Sequence, residues 1–374
     1  MASTQQANEA NPRSLSRRQF VKAASKGALG VALASKIGWR SSEVFGKVSS
    51  MSRVVIHRDE QATEGASIRE AVVHRMLREA IEALTDGGGW QALFPSYQAG
   101  ETIAIKINAI ERRMTSHREV VDAIVEGLVG IGGRENDIIV WDRTAGELSK
   151  AGYVLNEGSS GVRIMATNRL KDRYDRTQPV TLGNGTVHLS RILTDATYLI
   201  NVPILKDHGG AGITFSLKNH LGSIDYPRVL HDNGLQKWIA PLYAAPEIRG
   251  KTRVIIGDAL FGIYKGGPGG SPQFTYNGLI VGTDPVAVDA QARLIIDEER
   301  AKHDLRPVRA SHLEDAAERG LGTDDPDRIE VITLPRPIST EKRSWGAIKA
   351  KFRVPTAPQR SQRGSNVSTT DFTD

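Results

Sequence analysis

Cysteine is absent from all 374 residues. That absence excludes disulfide bonds, cysteine-ligated zinc, iron–sulfur clusters and thiol catalysis. A metal, if one is used, must be held by His, Asp, Glu, Asn or water. The sequence also lacks any apolar run of the ~20 residues needed to cross a bilayer, so no stable membrane span is expected. A folded basic patch is missing too. The net charge of +6 suggests a partner such as nucleic acid, but residues 1–34 carry a net +4 and the tail from Pro335 a net +5, which leaves the body at −3. The footprint of a nucleic-acid binder is therefore not there.

What is present is the balance of a globular protein, 39% apolar and 25% charged. Ahead of the body, Ser16-Arg17-Arg18-Gln19-Phe20-Val21-Lys22 fits a twin-arginine export signal. A short Gly/Ala-rich apolar stretch follows and ends in Ala32-Leu33-Ala34, a small-x-small cleavage site. Residues 1–34 are therefore expected to be a signal peptide, with the twin-arginine machinery as a partner and the periplasm as destination. Residues 35–334 are expected to form one large domain, and the basic, Pro/Ser/Arg/Thr-rich tail 335–374 to be largely disordered.

Within the body, apolar runs alternate with helical patterns. Thr102–Ile107, Ile138–Trp141, Tyr198–Val202, Arg253–Ile256, Leu279–Val281 and Ile329–Leu334 read as strands. Glu119–Ile131 reads as a helix stopped by Gly132-Gly133, and Pro285 to about Ile296 as another, with Asp284 as its N-cap. This order predicts an α/β fold with a mainly parallel sheet and helices on both faces.

In such sheets ligands bind beyond the carboxyl ends of the strands. Those ends carry Lys106 and Asn108, Asp142, Lys206 with Asp207 and His208, Asp258, and Thr283 with Asp284. The densest polar segment runs from Asn201 to Asp225. In it Gly209, Gly210 and Gly212 would let backbone N–H groups approach a ligand. A helix is expected to start near Ile213 and to place Thr214 and Lys218 on one face. Lys206 and Lys218 would then flank an anion at that helix N-terminus, and His208 would move a proton. His220 and His231 are weaker candidates. A second loop, Lys265 to Gly270, reads as a lid or a plain linker.

These segments together resemble the family called domain of unknown function 362. The resemblance rests on Val202 to His208 with Gly212 to Gly222; on Gly257-Asp258-Ala259, the glycine-rich loop and Gly282 to Ala290; and on Ala316 to Gly322. Lys106-Ile107-Asn108 is similar to the family's Lys-Pro-Asn. Coverage runs from about residue 100 to 332. The resemblance implies functional roles for Lys206, His208, Lys218 and Asn219, and names no reaction. Many relatives carry ferredoxin-like cysteine clusters; this chain has none.

Two readings follow. In one, an exported enzyme binds a small anionic substrate through Lys106, Asn108, Gly209, Gly210, Gly212, Thr214 and Asn219. Its chemistry would come from His208, Lys206, Lys218 and Asp258, and a divalent metal would sit on His208, Asp142 and Asp258. In the other, the same lysines bind a ligand without turnover. A carboxylate within reach of His208 favours the first reading; Asp142, Asp207, Asp225 and Asp258 all lying elsewhere favours the second.

Overall fold

The structure, a computed structural model, describes residues 51–183, 185–232 and 234–335. The expected export signal at 1–34 and the tail beyond residue 335 lie outside the described residues.

Ten strands form the central sheet. In chain order they are β1 (Ser52–Arg58), β2 (Ile103–Lys106), β3 (Ile138–Asp142), β4 (Arg163–Ala166), β5 (Tyr198–Asn201), β6 (Ile204–His208), β7 (Gly212–Thr214), β8 (Thr252–Ile263), β9 (Phe274–Gly282) and β10 (Ile329–Leu334). The helices used below are α1 (Glu70–Leu84), α2 (Arg118–Gly130), α3 (Ala145–Lys150), α4 (Ser216–Asn219), α5 (Gln236–Tyr243), α6 (Pro285–Lys302) and α7 (His312–Glu318). Across the sheet the order is β10-β1-β9-β8-β5-β2-β3-β4, with β6 paired to the far half of β8 and β7 to β6. Pairings among β8, β5, β2, β3 and β4 are parallel, whereas β9 runs antiparallel to both β1 and β8.

Both faces are covered, which is why the parallel strands read as continuous apolar runs. Along β2 and β3, Ile103, Ile105, Ile138 and Val140 pack with α1 and α2 in one core layer. Ala104, Ile139 and Trp141 pack with α5, α6 and α7 in the other. Sequence signals set the helix ends. α2 stops where Gly132 turns to φ +91° and the amides of Gly132 and Gly133 return to Val129 and Leu128. Asp284 accepts from Val286 and Ala287 N–H, both at 2.9 Å, and so caps α6 as expected.

Two local expectations are overturned. No helix begins near Ile213. Ile213 and Thr214 instead lie in β7, opposite Asp207 and Lys206 of β6, and the helical turn starts only at Ser216. Branched residues suit a ladder, and the helix-capping carboxylate comes from Asp289, far away in the chain. The strand end at Thr283-Asp284 also leaves the others. β9 is antiparallel, so its carboxyl end points toward the opposite rim.

Candidate functional site

β8 positions the site. Its first half pairs with β5, and its second half extends past the end of β5 to pair with β6. Pro203 ends β5, and its carbonyl accepts the Asp258 amide at 2.9 Å. β6 and β7 then form a hairpin in the register Lys206↔Thr214, Asp207↔Ile213 and His208↔Gly212. Because side chains alternate, Lys206, His208 and Thr214 share one face and Asp207 takes the other. On that other face, Asp207 accepts from the amides of Gly266 and Gly267, at 3.1 and 2.7 Å. The second glycine-rich loop is thus fastened to the hairpin.

A pocket of about 300 Å³ opens on the Lys206 face of this rim. Lys106, Asn108, Asp142, His208, Thr214, Lys218 and Asn219 all line it, from strand ends and turns spread over more than a hundred residues. Ile110, Leu221, Pro227 and Pro268 add apolar surface. Arg143 and Arg228 add positive charge, and Glu147 adds a carboxylate.

Lys106 and Asp142 neutralise each other at 2.8 Å. The Lys106 ammonium also donates to the Ile107 carbonyl, and Asp142 accepts the amides of Ala109 and Arg143. Gly222 makes room for the pair: a Cβ there would lie 2.8 Å from both Lys106 Nζ and Asp142 Oδ1. Behind the wall runs a buried chain of amides. Lys206 donates to Asn108 Oδ1 at 3.0 Å, Asn108 to Asn219 at 3.0 Å, Asn219 to Asn201 at 2.8 Å, and Asn201 to the Ser216 carbonyl at 2.9 Å. Each group in this chain is satisfied by the next, which fixes the register of the pocket floor. Lys206 itself is fully buried and stands behind the pocket rather than in its lining.

Lys218 is different. It is 8% exposed, it lines the pocket, and its ammonium makes no hydrogen bond or ion pair with any described residue. Burial lowers it to about 8. Burial and the nearby Lys218 charge lower Lys206 to about 7. The Thr214 hydroxyl, in the same wall, is buried without a hydrogen-bond partner.

Several expected roles do not survive the geometry. His208 Nδ1 accepts the amides of Gly210 and Ala211, at 3.0 and 3.1 Å. That assigns the ring proton to Nε2. Burial, then Lys218, His231 and His312, lower His208 to about 3. A ring so held is a fixed Nε2–H donor. It neither takes up a proton near neutral pH nor offers Nε2 to a metal, because metal there would put a proton on Nδ1 facing two N–H groups. The same bonds consume the Gly210 amide, and Gly212 is committed to the hairpin ladder. Gly209 and Gly210 are exposed turn residues outside the pocket lining, so this loop presents no anion nest there. The helix N-terminus is occupied as well: Asp289 accepts Ser216 and Leu217 N–H, at 2.7 and 3.1 Å.

Asp258 turns away from the pocket. It accepts the His117 amide at 2.8 Å and pairs with His117 Nδ1 at 2.7 Å, on the α2 side. Burial opposes charge on His117, but the Asp258 charge and hydrogen bond outweigh it and raise the ring. The His208–Asp142–Asp258 metal set therefore does not assemble, and no group of three or more His, Asp or Glu side chains placed to hold a metal ion occurs among the described residues. Asp225 is held by His188 and Arg176. Among the described residues no carboxylate hydrogen-bonds to His208. His220 is buried beside Ser223 and Tyr243, outside the pocket lining.

His231, the weaker candidate in the sequence, shares the pocket lining with His208. Its Nδ1 donates to the Pro227 carbonyl at 3.0 Å. Asn201, Ser216 and Asp289 were missed as supports. They are ordinary polar residues whose partners lie far off in the chain.

No curated protein matches the chain. Two solved structures are similar over part of their length. One is a protein from Thermotoga maritima, 14% identical, covering 62% of this chain and 59% of that one, with a TM-score of 0.38. The other is the lactate racemase apoprotein from Thermoanaerobacterium thermosaccharolyticum, 15% identical, covering 57% and 52%, with a TM-score of 0.30. The chain thus spans less than two thirds of either structure. A family model described as "Domain of unknown function (DUF362)" matches residues 103–293, just over half of the chain, and takes in every residue named in the pocket. The protein therefore belongs to the DUF362 family.

Proposed function

We propose that this protein is an enzyme acting on a small carboxylate-bearing substrate, with a lysine rather than a histidine as its reactive group. The observation that carries this reading is Lys218: an ammonium nine-tenths buried in a pocket wall with no counter-anion among the described residues. A buried cation without a partner is costly, and a bound anion removes that cost. Four basic side chains and two carboxylates line the pocket, so its charge also favours an anion. Ile110, Leu221, Pro227 and Pro268 suit a short apolar body, and a volume of about 300 Å³ suits a small molecule. Thermal unfolding with acetate, propionate, lactate, pyruvate, phosphate and sulfate tests the reading, because a ligand of the folded state raises the melting temperature. Carboxylates should stabilise the wild type and lose that effect in Lys218→Met. No stabilisation by any of them refutes it.

A second reading, binding without turnover, is favoured by the absence of a carboxylate at His208, which removes a histidine acid–base pair. Stabilisation by carboxylates with no conversion of any of them would select it.

The proposal includes export. Ser16-Arg17-Arg18-Gln19-Phe20 supports the twin-arginine route. Cell fractionation should find the wild type outside the cytoplasm and a variant with both Arg17 and Arg18 changed to Lys inside it.

A further inference from the structure

Three lysines surround the pocket, and they are not equivalent. Lys106 is tied to Asp142 and to the Ile107 carbonyl. Lys206 is fully buried and bound to Asn108. Of the three, only Lys218 both lines the pocket and has no hydrogen bond or ion pair with a described residue. The same lining carries two groups with no hydrogen-bond partner among the described residues, the Thr214 hydroxyl and the His208 Nε2–H, and the His231 ring. A pure anion site would be expected to satisfy its cation from several sides. This one isolates an amine and sets neutral donors beside it.

We infer that Lys218 forms an imine with a carbonyl compound that also carries a carboxylate, a small 2-oxo acid. The inference rests on the proposed anion-binding function and names its substrate class. The neutral Lys218 amine attacks the carbonyl carbon, and a C–N bond forms as the C=O π pair moves to oxygen. The His208 Nε2–H and the Thr214 hydroxyl are the donors available to that oxygen as charge develops on it. A proton moves from nitrogen to oxygen to give the carbinolamine. The oxygen then leaves as water with the second nitrogen proton, and a C=N bond remains. No electrons are gained or lost, and no co-reactant is needed. An amine of this kind needs a low pKa, which desolvation and a neighbouring cation supply. Here burial supplies it: Lys218 titrates at about 8. While Lys218 is neutral, the guanidinium groups left in the lining are Arg143, paired with Glu147 at 3.4 Å, and Arg228, which is held only at 3.9 Å from Asp232 and is the one open to the carboxylate.

The test is reductive trapping. The full-length protein is incubated with pyruvate or glyoxylate and cyanoborohydride, digested, and mapped by mass spectrometry. The Lys218 peptide should gain the mass of the acid less one oxygen atom. That gain should be absent in Lys218→Arg and slowed at least tenfold by excess propionate, which has the charge but no carbonyl. Mapping in the wild type locates the adduct even if the variant folds poorly. Label confined to surface lysines, or equal at Lys218 with and without propionate, overturns the inference. If propionate and pyruvate both stabilise the protein but Lys218 is never labelled, the imine fails and anion binding stands. If neither stabilises and nothing is labelled, both fail.

Discussion

Lys206 Nζ lies 3.0 Å from Asn108 Oδ1, and this is its only hydrogen bond among the described residues. The two residues come from neighbouring parts of one rim, and Lys206 has no solvent to fall back on. Removing the acceptor strands a buried amine. Asn108→Ala should therefore lower the unfolding free energy by about 2 kcal/mol, the scale for losing a hydrogen bond to a charged group. Urea unfolding reads the change, and a loss near zero would mean the amide chain holds nothing.

Gly222 is required by its neighbours rather than by its backbone. A methyl group there meets the Lys106–Asp142 pair at 2.8 Å on both sides. Gly222→Ala should cost about 1–3 kcal/mol, as overpacking does, and should weaken carboxylate binding by distorting the pocket wall. Denaturant midpoints and thermal shifts check the two effects separately.

The His208 ring makes a sharp spectroscopic prediction. Nitrogen chemical shifts should show Nδ1 bare and Nε2 protonated, unchanged between about pH 5 and 8. The linkage has a definite sign. The folded ring titrates at about 3 against 6.5 unfolded, so the unfolded chain binds more protons in that window. Stability should therefore fall as pH drops below 6.5. His208→Asn should reduce the slope of stability against pH there. An imidazolium signature near pH 6 would contradict the assignment.

Asp289 reaches from α6 to hold the two amides that start the Lys218 turn. Burial pushes its carboxyl up, against the pull of those bonds. Asp289→Ala leaves both amides bare in the core. Hydrogen exchange at Ser216 and Leu217 should quicken by tenfold or more relative to β5 amides, while Asn at this position, keeping one acceptor, should show a smaller change.

These cases also show what a sequence can disclose. Strands buried on both faces are visible as apolar runs, so β2, β3, β5 and β8 were legible, with Lys106, Asn108 and Asp142 at or just past the ends of β2 and β3. The α6 cap was legible because Asp284 acts on its own neighbours. What escaped depends on distance or orientation. The direction of β9 moved Asp284 to the other rim. The hairpin register, not a helical period, set Thr214 beside Lys206. The state of His208 hangs on two amides whose angle no spacing encodes, and Asp258 found His117 rather than the pocket. Asp289 sits within a helix pattern and reads as an ordinary polar residue until the chain folds around it.

The most direct test of the account is calorimetric titration of a small carboxylate into wild-type protein and Lys218→Met across the pH range in which Lys218 loses its proton. Lys218 should supply the decisive charge. Affinity in the wild type should then fall as pH rises past about 8, and in the methionine variant it should be at least tenfold weaker and nearly flat with pH. Equal affinity in the two proteins, with the same pH dependence, would contradict the assignment of Lys218 as the anchor of this site.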